Sequence, residues 1–148
     1  MDNAKITYFI KDLNKNYIQA EQAYVGTYTG EKALSFDLRI WNNYKGIDNV
    51  KDLNNFNIVL SFSCKEDSAL LPYIKMAIAN KTEIPVSIIG ESAVGTFLEK
   101  VILSGTANDG ADTNSDNFID ITISFNAEDS SVLKDHDLKS MYIELVEL

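Results

Sequence analysis

Read from Asp112, the chain places side-chain oxygens at the spacing of a calcium loop. Asp112, Asn114, Asp116 and Asp120 fall at loop positions 1, 3, 5 and 9, and Ile119 takes the apolar position 8. Such spacing turns alternate oxygens toward one centre, the chemistry that holds a hard cation. Two departures weigh against it. Asn117 stands where the turn glycine belongs, and Ile123 where a bidentate glutamate would close the shell. Asp and Asn are also ordinary turn residues, because they bond nearby backbone and tolerate left-handed geometry. The expectation is therefore a solvated turn with no cofactor. Asp112, Asn114, Asp116 and Asp120 are the ligands should the loop take calcium.

A second group is Trp41-Asn42-Asn43-Tyr44, two aromatics and two amides directly after a strong strand pattern. Aromatic rings beside amides can stack on a sugar or anchor a protein partner, so Trp41 and Tyr44 are the candidate contact residues. The plainer alternative is that Trp41 covers a core end as a packing residue.

Catalytic chemistry has little to stand on. His136 is the only histidine and lies in the polar run Lys134-Asp135-His136-Asp137, where a solvated role is expected. A Ser-His-Asp or Cys-His mechanism would need it beside a serine or Cys64, yet no Gly-x-Ser-x-Gly elbow is present. The seven glycines are scattered and form no phosphate cradle. Paired carboxylates suffice for glycoside hydrolysis, but an acidic chain offers many pairs by chance. The expectation is a protein without enzymatic activity.

Charge narrows the partners. The net charge is −9, and residues 109–148 carry ten acidic and two basic groups while residues 1–108 carry twelve and eleven. No basic cluster exists to neutralise a phosphate backbone or an anionic membrane, so neither nucleic acid nor membrane is an expected partner. Cys64 is the single cysteine, which leaves no intramolecular disulfide. Met1-Asp2-Asn3-Ala4-Lys5 lacks the pattern of a secretory signal, and no apolar run approaches a membrane span, so synthesis in the cytoplasm is expected.

These residues need elements to hold them, and the dominant pattern has period two. Leu34, Phe36, Leu38 and Ile40 alternate with Ser35, Asp37, Arg39 and Trp41. Phe56, Ile58, Leu60 and Phe62 form a second such series, and Ile119, Ile121, Ile123 and Phe125 a third. Alternation puts successive side chains on opposite faces of a sheet. Fainter strands are expected at 6–11, after Ala23, and at 73–79, 85–89, 93–104 and 141–146. Short helices are expected among Asp48 to Asn54, Asp67 to Leu71 and Ser130 to Lys139, where Asp or Ser precedes Leu or Val. The fold class expected is all-β: one domain over 1–148, an antiparallel sandwich or barrel of about eight strands with one to three short helices.

Arg39 is the sole arginine among thirteen basic residues, and Asn and Ile are abundant, a usage typical of AT-rich coding sequence. The alternation in Leu34 to Trp41 and Phe56 to Phe62, with Leu103-Ser104-Gly105-Thr106-Ala107-Asn108-Asp109-Gly110 leading into Asn117 to Phe125, resembles small β-rich tail or virion proteins of phages of low-GC Gram-positive bacteria. That resemblance implies a non-enzymatic structural subunit. It would act by joining itself or other protein subunits in an oligomer, a virion or a phage-tail-like particle, and it implies no catalytic residue. The alternative expectation is a carbohydrate- or calcium-binding sandwich module.

Overall fold

The computed structural model describes residues 1–12, 14–20, 24–28, 33–63, 65–79, 81–126 and 139–148. Among these, the first strands are β1 (Ile6–Lys11), β2 (Tyr17–Gln19), β3 (Tyr24–Tyr28), β4 (Ala33–Asn42) and β5 (Phe56–Phe62). They are followed by β6 (Ile74–Ile78), β7 (Thr82–Ile84), β8 (Val86–Ile89), β9 (Ser92–Gly95), β10 (Phe118–Asn126) and β11 (Lys139–Glu147). Two antiparallel sheets result, ordered β2-β1-β4-β10-β6-β7 and β3-β11-β5-β9-β8. They pack as an all-β sandwich.

The core follows from the alternation. Leu38 and Ile40 of β4, Ile121 and Ile123 of β10, Ile58 and Leu60 of β5 and Ile143 of β11 meet in one cluster, each at most 2% exposed. Removing each such side chain from water contributes about 1.5–3 kcal/mol. Of the other residues expected in the core, Phe125 is buried, while Phe36 and Phe62 are half-buried at its margin.

Each flank of the sandwich is made by consecutive edge strands. Only Pro85 separates β7 from β8, so one extended segment leaves the edge of the six-stranded sheet and becomes the edge of the five-stranded one. Proline suits that crossing because it has no N–H to contribute to a ladder. On the other flank, β2 and β3 hold the corresponding edges.

Three expectations change. The strand count is eleven among the described residues, because β2 and β7 span three residues each and are too short to show a period. The strand expected over 93–104 stops at Gly95, and the chain returns only at Leu103, which bridges Leu53. Asp48 to Asn54 is not helical. Its apolar residues Val50 and Leu53 are three apart, as on a helix face, but they anchor single bridges to Asp2 and Leu103. Asp67 to Leu71 lies within a 3-10 helix, Lys65–Tyr73, and Leu70 and Leu71 are buried. For the proposed Ser130 to Lys139 helix, residues 130–138 lie outside the described residues and Lys139 opens β11. No described helix is long and apolar enough to cross a membrane.

Candidate functional site

The register of the central strands builds a cleft on the outer face of the six-stranded sheet. Arg39 stands opposite Phe9 of β1 and Asp120 of β10, and Trp41 opposite Thr7 and Phe118. The Arg39 Nε and Nη2 donate to the two carboxylate oxygens of Asp120 at 2.7 and 3.0 Å, a bidentate fork. Its Nη1 donates to Asp112 Oδ1 at 2.6 Å. The guanidinium carbon also lies 4.5 Å from the Tyr17 ring centre and 4.0 Å from that of Phe118. Burial alone would lower the pKa of Arg39, but the hydrogen bonds and charge of Asp120, helped by Asp112, push it upward. The Tyr17 phenol is also raised, first by burial and then by the charge of Asp120. Arg39 is thus a permanent cation held in one orientation.

Around it opens a cleft of about 550 Å³, with Phe9, Trp41, Arg39 and Asp120 among its lining. Lys11, Lys15, Asn16, Tyr17, Tyr44, Gly110 and Asp112 also border it. Trp41 and Tyr44 meet, ring centres 5.0 Å apart and edge to face. Trp41 also packs on Phe118 at 4.7 Å and is only 2% exposed, so it supports the cleft as a packing residue.

The two amides beside it turn inward. Asn42 accepts the Lys5 N–H and donates to the carbonyls of Lys51 and Leu103. Asn43 donates to the carbonyls of Asp48 and Gly105, and Asn117 to those of Ser104 and Thr106. All three are buried, and they fasten the irregular segments around 48–52 and 103–108 to the ends of β4 and β10. Buried amides need such partners, since backbone groups there would otherwise lose water without replacement.

The acidic loop is organised by its own side chains and by Arg39. Asp112 and Asp120 do converge, but on the guanidinium, which sits between them. Asn114 donates to Asp109 Oδ1 at 2.5 Å and to the Ala111 carbonyl at 3.0 Å. Asp109 also accepts the Ala111 N–H, and these bonds hold its carboxyl below the usual range. Asp116 offers its backbone carbonyl to the Ser104 N–H. Among the described residues, no group of three His, Cys, Asp or Glu side chains is placed to hold a metal ion. Cys64 and His136 lie outside the described residues.

A second feature is the edge strand β8. Ile88 is 49% and Ile89 64% exposed, on the border of the five-stranded sheet. Sequence reasoning took this segment as a strand without placing it at an edge. It also passed over Arg39, Lys11 and Tyr17. The available signal was that Arg39 shares the polar face of its strand with Trp41. No family model, curated protein or solved structure matches the chain.

Proposed function

We propose that this chain is a non-enzymatic assembly subunit that joins other protein subunits through its open sheet edges, as a building block of a phage virion or phage-tail-like particle. The observation that carries the reading is β8. Edge strands carry unpaired N–H and C=O groups, and monomeric proteins commonly guard them with lysine, proline or charge. Val86-Ser87-Ile88-Ile89 has none of these within it. Consecutive residues of a strand point to opposite faces, so Ile88 and Ile89 make both sides of the edge apolar. An added strand would satisfy the backbone and cover both isoleucines at once. The resemblance in Leu34 to Trp41, Phe56 to Phe62 and Leu103 to Gly110 leading into Asn117 to Phe125 supports the same class of protein.

The test is the native mass of the intact chain, by mass spectrometry and sedimentation, with co-purification from the source particle or lysate. The expected result is a defined oligomer or a complex with a structural protein. Ile88→Lys with Ile89→Lys should lower that mass while far-UV circular dichroism keeps its β character. A strict monomer without any protein partner overturns the reading, as does an oligomer that the double variant leaves intact.

A further inference from the structure

We propose that the cleft over Arg39 binds a saccharide bearing a carboxylate, of the uronic-acid type, with the ligand's carboxylate taking the place that Asp112 holds on the guanidinium. The first observation is an asymmetry between the two acids on Arg39. Asp120 is a cross-strand neighbour that grips Nε and Nη2 and fixes the fork, whereas Asp112 reaches a single nitrogen, Nη1. The Arg39 side chain is 12% exposed and that of Asp112 is 88% exposed. Asp112 therefore enters from solvent onto a cation that is already oriented. An ion pair with so exposed a partner is readily given up, and rotation of one side chain frees Nη1 for another carboxylate.

The surrounding groups suit an anionic sugar. Lys11 and Lys15 border the same cleft, and among the described residues neither is paired with a carboxylate. Their charges gather here although the chain as a whole is strongly acidic. Asn16, Tyr17 and Tyr44 line the walls with amide and phenol groups able to bond sugar hydroxyls. An acidic peptide fits less well. The floor consists of side chains on β1, β4 and β10, interior strands whose backbones are paired on both sides. An extended chain lying on that floor would find no main-chain partner, whereas a ring with a carboxylate needs none. The site is independent of the β8 edge, which lies at the far flank of the sandwich, so either proposal can fail alone.

Trp41 is the only tryptophan and packs beneath the cleft, so its fluorescence, read together with calorimetric heats of binding, reports occupancy. The intact protein is titrated with D-glucuronate, with D-glucose and with a tetraglutamate peptide. Saturable change with glucuronate and none with glucose is expected. Asp112→Asn removes the internal competitor and should tighten glucuronate by about fivefold. Lys11→Ala with Lys15→Ala should weaken it by a similar factor. The proposal is overturned if glucuronate gives no saturable change with either the natural chain or the Asp112→Asn variant. It is equally overturned if Asp112→Asn leaves the affinity unchanged, or if glucose or tetraglutamate binds as tightly as glucuronate.

Discussion

At the residue scale, Asn42 carries more of the structure than any exposed polar group near it. It is fully buried, with its oxygen on the Lys5 N–H at 2.9 Å and its amide nitrogen 2.9 and 3.1 Å from the carbonyls of Lys51 and Leu103. Asn42→Ala would strand the Lys5 N–H and the Lys51 carbonyl, while the Leu103 carbonyl keeps the Leu53 N–H, and one buried unsatisfied group costs roughly 1–3 kcal/mol. A loss of about 3 kcal/mol in urea unfolding is the expected outcome; a loss below about 0.5 kcal/mol would mean that water replaces the amide. Asn42→Asp should be no milder, since it keeps the acceptor for Lys5 but turns a carboxylate toward two carbonyls. None of this was legible in Trp41-Asn42-Asn43-Tyr44, because an amide facing water and one facing a carbonyl look alike in sequence. The partners of these amides lie as far as 62 residues away. Arg39 was legible in part. Its face followed from alternation, but its pairing with Asp120 depended on a cross-strand register that alternation does not specify.

At the scale of elements, β4, β5 and β10 were readable because each runs seven to ten residues with one face in the core. β2 and β7 were not, since three residues cannot display a period of two. The segments between β4 and β5 and between β9 and β10 were the hardest to read. They are held by side chains and single bridges rather than by ladders, and Gly105 sits where they press together. Its N–H donates to Asp52 Oδ1 at 2.8 Å, and its carbonyl accepts from the Val50 N–H at 2.8 Å and from Asn43 Nδ2 at 2.9 Å. A Cβ at Gly105 would fall 2.0 Å from the Val50 carbonyl oxygen, so backbone must move. Gly90 is the useful contrast: a Cβ there meets nothing within 4 Å, but φ is +60°. Gly105→Ala is expected to cost about 3 kcal/mol through overpacking, against roughly 1 kcal/mol of left-handed strain for Gly90→Ala. Denaturant unfolding of the two variants checks the order, and equal losses would show that the 48–52 and 103–108 segments part easily.

At the scale of the whole molecule, β8 ends its sheet with no further strand paired to it among the described residues, while the chain carries a net charge of −9. These two properties oppose each other. Exposed Ile88 and Ile89 favour strand addition at β8, yet copies of so acidic a chain repel, and Glu83 and Glu91 stand on either side of that edge. Salt separates the contributions. The screening length is about 10 Å at 0.1 M and about 3 Å at 1 M, so added salt removes long-range repulsion and leaves apolar contacts and backbone hydrogen bonds in place. A head-to-tail contact would respond in the opposite sense if it joined the acidic 109–148 region of one copy to the lysines of the next, because salt would screen the attraction itself. The edge-strand reading therefore predicts that the weight-average mass rises at fixed micromolar protein as NaCl goes from about 0.05 M to about 0.5 M. Sedimentation equilibrium across that series measures it directly. A mass that falls with salt would make the contact ionic and move it away from β8.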